Sequence, residues 1–131
     1  LENYAKIAVE NYIHNFDIYK LDLAANEVLS LAINTNLYLN DNEPWMLIKE
    51  ENSLPLVKEI IYNVLESTRI IGLLLLPLLP ELSTKINEQL GSIYREEIPW
   101  KKQLSWGQLV SNSSLPKPTP IINKLEYEQH L

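Results

Sequence analysis

Residues Leu54–Leu79, LPLVKEIIYNVLESTRIIGLLLLPLL, decide the fold. Leu56, Ile60, Ile61, Val64 and Leu65 recur three and four residues apart, the period of an amphipathic helix, and from Ile70 onward nearly every residue is apolar. A helix that is apolar all round has to be covered on several sides, so this segment predicts the central helix of a bundle. Pro55 suits its first turn, and Asn52 or Ser53 is a candidate N-cap. Pro77 and Pro80 bend or break the far end, because proline lacks the N–H that the helix would use. The densest apolar run, Ile70–Leu79, contains Gly72 and Pro77 and falls well short of the roughly 20 residues a bilayer-spanning helix needs. No membrane span is therefore expected.

Working toward the N-terminus, Pro44 suits a helix start, with Trp45, Leu47 and Ile48 inside a short helix over 44–50 and Lys49 and Glu50 facing water. Before it, Leu21, Ala24, Ala25, Val28, Leu29, Ala32 and Ile33 carry a helical period to about Leu39, with Asp17 as a candidate cap. Asn40 to Glu43 read as a turn, since Asn and Asp side chains bond nearby backbone. The first helix runs from about Glu2 to Phe16, with Tyr4, Ile7, Ala8, Tyr12 and Phe16 on its apolar face. The chain opens on Leu1 and inside a helical pattern, which predicts a piece of a longer protein.

Toward the C-terminus, Pro80, Glu81, Ser83 and Lys85 open a further helix that stops at Leu90-Gly91, glycine being the usual residue past a helix end. Residues 111–120 are rich in Ser and Pro and read as an extended connector. The tail at 121–130 reads as a short strand or a last helical turn. Trp100 and Trp106 are expected to pack this C-terminal part onto the bundle. The fold class is thus all-α, a bundle of about five helices over about 1–91 with an extension over about 92–131, in a single domain.

Composition agrees with that class. The 131 residues are 46% apolar, enough for one packed unit, and three glycines are too few for a Gly-rich phosphate loop or the many tight turns of an all-β chain. The absence of cysteine excludes a disulfide scaffold, a cysteine zinc site and a thiol nucleophile. Eleven Lys and Arg against seventeen Asp and Glu give a net charge of −6, which argues against generic phosphate binding and against DNA.

A catalytic reading finds no support. His14 and His130 are the only histidines, and Glu10 with His14 at i, i+4 supplies at most two metal ligands. Glu50-Glu51 and Glu96-Glu97 are adjacent, so on a helix their side chains diverge and cannot flank one bond. No Gly-x-Ser-x-Gly or Walker loop occurs. What stands out is 32–45, where Asn34, Asn36, Asn40 and Asn42 cluster with Tyr38 and Trp45 around one helix junction. Asparagine both donates and accepts toward base edges, and an indole offers a face for stacking. On the residues alone an alternative stands beside this one: Asn40 to Glu43 as turn residues, Pro44 as helix start and Trp45 as a core plug.

The junction resembles that of the helical anticodon-binding domain of bacterial-type methionyl-tRNA synthetases, class I enzymes in which a helix ending Asn-x-Tyr precedes a polar turn and Pro-Trp-x-Leu-x-Lys. Here these are Asn36-Leu37-Tyr38 and Pro44-Trp45-Met46-Leu47-Ile48-Lys49. Arg69-Ile70, Leu76-Pro77-Leu78-Leu79-Pro80 and Leu90-Gly91 are similar to later family features. Ile122-Asn123-Lys124-Leu125-Glu126 resembles a diverged closing Phe-Pro-Arg/Lys-Ile-Glu. The family's His-Ile-Gly-His and Lys-Met-Ser-Lys-Ser signatures have no counterpart, nor does its helix bearing an anticodon-reading Asn and Arg. Asn40 stands where some members carry Asp.

The resemblance implies recognition of the CAU anticodon loop of methionine tRNA, with Trp45 stacking on a splayed base and Asn36, Pro44 and Asn40 shaping the pocket. It implies no cofactor for this stretch, and ATP with Mg for a catalytic domain that would be its partner within the same cytoplasmic protein. Lys49 and Lys58, and the pair Lys101 and Lys102, are candidate phosphate neighbours. The alternatives are a sister class I synthetase for Ile, Val, Leu or Cys, and a helical protein-interaction module.

Overall fold

The computed structural model describes residues 1–91 and 93–109. Five helices follow in order: α1 (Glu2–Asp17), α2 (Leu21–Asn42), α3 (Pro44–Leu47), α4 (Leu54–Leu75) and α5 (Pro80–Gln89), then a 3-10 turn at Trp100–Leu104. No strand occurs among the described residues, so the chain is an all-α bundle. The connector at 111–120 and the tail at 121–130 lie outside the described residues.

α1 and α2 form an antiparallel hairpin that packs Ala5, Ala8 and Tyr12 together with Ala24, Val28 and Leu31. Three alanines in this seam let the two backbones approach closely. Tyr4, Ile7, Leu21, Leu29 and Ile33, expected in the core, are exposed instead. α2 carries two apolar stripes, and α1 and α4 between them cover the one on Val28 and Leu31. Asp17 does not cap α2. It ends α1, and Tyr19 in the left-handed region (φ 64°) turns the chain while Lys20 N–H donates to the Asn15 carbonyl at 2.8 Å.

α4 is the central element and touches α1, α2, α3, α5 and the 3-10 turn. It stops at Leu75 rather than Leu79, two residues before Pro77. A helix end leaves carbonyls without intrahelical partners, and the carbonyl of Leu73 faces a position where Pro77 has no N–H to give. Three other elements supply the donors. Ser83 Oγ donates to the Gly72 carbonyl at 2.6 Å, the Trp100 indole N–H to Leu73 at 2.7 Å and the Tyr12 hydroxyl to Leu74 at 2.6 Å. Trp100 also lies beside the Tyr12 and Phe16 rings.

The segment after α5 is held by its own Gln103 and by two side chains of α4. Gln103 bonds the backbone of Arg95 and Ile98. Glu66, fully buried on α4, pairs with Arg69 and accepts the N–H groups of Gly107, Gln108 and Leu109 at 2.6, 2.6 and 3.1 Å. Arg69 reaches past it to the carbonyls of Gln103 and Ser105. No described helix is long and apolar enough to cross a membrane.

Candidate nucleic-acid interface

α2 runs three residues further than expected, so Asn40, Asp41 and Asn42 are helical and Glu43 alone makes the bend. Glu43 takes φ 44°, ψ 60°, a left-handed conformation uncommon outside glycine and asparagine, and its N–H closes on the Leu39 carbonyl at 3.1 Å. Pro44 then occupies the first position of α3, where no N–H is needed. The Glu43 carbonyl accepts both Met46 and Leu47 N–H, which fixes the direction of this one-turn helix.

α3 ends at Leu47, short of the expected Glu50. Ser53 explains the early stop: it makes no N-cap bond to α4, and its hydroxyl serves the carbonyls of Leu47 and, at 2.8 Å, Glu50. The side chain that would have capped the next helix thus closes the previous one.

The four asparagines divide into two pairs. Asn34 and Asn42 spend their amides on backbone carbonyls one turn back, those of Ser30 at 3.0 Å and Tyr38 at 2.8 Å. Asn36 and Asn40, four apart and therefore on one helix face, are both exposed and make no side-chain hydrogen bond among the described residues. Pro44 is buried, whereas Trp45 next to it is 49% exposed, with Met46 and Ile48 also facing outward. The core-plug alternative therefore falls to Pro44 and not to Trp45. At one end of the bundle the chain presents two free amides on the last turns of α2 and an accessible indole just past the bend at Glu43.

The charges around the bend are mixed. Asp41, Glu43, Glu50 and Glu51 are exposed within six residues of Trp45, as is Lys49, and Lys58 is exposed in the first turns of α4. Lys101 pairs at 3.6 Å with Asp17, at the end of α1 beside the start of α2. The 22 residues of α2 separate that end from Trp45 by about 30 Å, so Lys101 and Lys102 do not border it. No group of three or more His, Cys, Asp or Glu able to hold a metal occurs among the described residues.

Sequence reasoning passed over the contacts that hold this end in place. Thr35 and Ser67 hydroxyls lie 2.6 Å apart across the buried α2–α4 seam, and Asn63 donates to the Tyr38 hydroxyl at 2.9 Å. The available signal was Asn63 itself, an amide inside an otherwise apolar helical pattern.

Comparison with known proteins places the chain as a whole in a family. The family model for the anticodon binding domain of methionyl tRNA ligase matches residues 1–131. The chain belongs to that family. A methionine–tRNA ligase of Synechocystis sp. is 39% identical over 113 residues, which cover 79% of this chain and 21% of that protein. The ligase of Nostoc sp. is 31% identical over 88% of this chain and 23% of its own length. That of Lactococcus lactis subsp. lactis is 29% identical over the whole chain and 20% of its own length. This anticodon-binding domain thus spans about a fifth of the length of the relatives it matches, which share the name methionine–tRNA ligase.

Proposed function

We propose that the chain recognises the CAU anticodon loop of methionine tRNA through the α2–α3 bend. Trp45 stacks on a splayed base, Asn36 and Asn40 offer donors and acceptors to base edges, and buried Pro44 fixes the indole's position. The observation that carries this reading is the division among the asparagines: the two left free share one face, at the end of α2 from which the bend leads to the half-exposed Trp45. Single-stranded loops expose base faces and Watson–Crick edges, and an aromatic stack is worth about 1–3 kcal/mol per base. Attachment of methionine with ATP and Mg is assigned to the remainder of a cytoplasmic ligase, and the anticodon-binding domain acts by holding the tRNA.

Trp45→Ala in the full-length ligase tests it. Weakening of methionine tRNA binding by roughly tenfold to a hundredfold is expected, with helicity by circular dichroism unchanged, because the side chain is not part of the core. A stem-loop with a scrambled anticodon should bind equally poorly to both proteins. Unaltered affinity for the methionine anticodon in a folded variant would rule the reading out.

A further inference from the structure

α2 loses its apolar anchorage before it reaches the bend. Leu31 and Thr35 are its last buried residues, and Tyr38, Leu39 and Asn42 on the following turns are half-buried. α3 is one turn long and buries Pro44 alone. Neither element can fix its own direction by burial, since apolar contact is non-directional and there is little of it here. What remains across the α2–α4 seam is polar. Beyond the Thr35–Ser67 contact, the Asn63–Tyr38 bond at 2.9 Å is the last side-chain hydrogen bond joining α2 to α4 before the bend, among the described residues. Tyr38 lies between Asn36 and Asn40 in sequence but turns toward α4 while they face outward, and its backbone carbonyl receives the Asn42 amide.

From this we infer that Tyr38 and Asn63 are positioning residues for the anticodon interface. Their hydrogen bond fixes the rotation of the last turns of α2 on α4. It thereby fixes how the Asn36 and Asn40 amides stand relative to the Trp45 indole. Hydrogen bonds weaken steeply with misalignment, so a rotation of α2 about its axis breaks this one, and its loss frees that rotation. Neither side chain touches the tRNA. The inference rests on the anticodon reading above and adds to it a requirement for geometry within the bundle.

Tyr38→Phe removes the hydroxyl and keeps the ring, so in the full-length ligase the fold should persist. The Kd for methionine tRNA, and the KM for tRNA in aminoacylation, should rise about fivefold while the KM for methionine and ATP stays. Asn63→Ala should give the same rise, and the double variant should be no worse than either single one, because both delete one bond. In a Trp45→Ala background Tyr38→Phe should weaken tRNA binding by less than fivefold, since only the Asn36 and Asn40 contacts are left to misplace. The Trp45 indole N–H resonance, identified by its loss in Trp45→Ala, should shift in Tyr38→Phe. If Trp45→Ala weakens binding but Tyr38→Phe and Asn63→Ala bind like the unmodified protein, the positioning role is overturned and the anticodon reading stands. If Trp45→Ala itself has no effect, both fall together.

Discussion

Glu66→Ala removes the carboxylate that ties residues 107–109 to the bundle, beside the Arg69 that holds Gln103 and Ser105, and the structure allows its cost to be worked out. Glu66 is fully buried, and Arg69 beside it is 4% exposed. Breaking a buried pair from one side costs about 3–5 kcal/mol, because the remaining charge stays desolvated. Arg69 would keep the Gln103 and Ser105 carbonyls, which are dipoles and not a counter-charge. Of the three N–H groups that lose their acceptor, those of the exposed Gly107 and Gln108 can turn to water. That of buried Leu109 cannot, which adds about 1–2 kcal/mol.

The chain has one escape: residues 103–109 can detach and let water reach Arg69. That ends the charge penalty but uncovers Leu104 and Leu109, at about 1.5–3 kcal/mol each, so detachment sets a ceiling of about 3–6 kcal/mol, below the roughly 4–7 kcal/mol of the undetached state. An urea titration should therefore show a loss of about 3–5 kcal/mol, a large part of the 5–15 kcal/mol typical of a domain. Hydrogen exchange at the amides of 107–109 should lose its protection ahead of the α4 amides. Adding Arg69→Met should return at least half of the lost stability, since it removes the stranded charge. A loss under about 1 kcal/mol, with exchange at 107–109 unchanged, would refute the claim that Glu66 holds this segment.

Two further tests address the packing on α4. A Cβ at Gly72 would overlap the Tyr94 hydroxyl and lie 2.8 Å from Ile86 Cγ2, so Gly72→Ala should destabilise by about 1–3 kcal/mol despite its better helix propensity, with Tyr94→Phe in combination restoring most of the loss in a thermal melt. Burial pushes the Tyr12 and Tyr94 hydroxyls up to about 12 from an ordinary 10; below pH 10 both folded and unfolded chains keep these protons, whereas between 10 and 12 the unfolded chain alone releases them, so stability should fall as pH rises through that window. Tyrosinate absorbance should show two groups ionising near pH 12, and a urea midpoint constant from pH 9 to 12 would contradict it.

The helical period of 54–75 and the apolar excess after Ile70 were legible because they report a local fact, how much of one helix must be covered. Which stripe of α2 turned inward was not. Leu29 and Ile33 fit the 3.6-residue period as well as Val28 and Leu31 do. The choice was made by alanines on α1 and by the Thr35–Ser67 contact, neither of which the pattern of α2 contains. Glu66 and Arg69, at i and i+3 on α4, are buried because a loop some 40 residues later closes over them, a contact the local helical pattern does not contain. Ser53 occupied the cap position, yet its hydroxyl turned back to α3, a choice between two nearby acceptors that sequence does not rank.

At the candidate interface the same limit acts on the asparagines. Any of the four can bond the carbonyl one turn back, and spacing does not say which do; Asn34 and Asn42 do so, and the pair that does not shares a face. The charge argument ends differently from where it began. Lys101 and Lys102 sit at the far end of the bundle, and the residues flanking Trp45 are more acidic than basic, so a face built to hold phosphates is absent from the described part of this region. Neutral amides and an indole need no such face. They act on base edges and base planes, which an anticodon loop exposes and a duplex hides, so a net charge of −6 weighs against duplex binding far more than against reading a few unstacked bases.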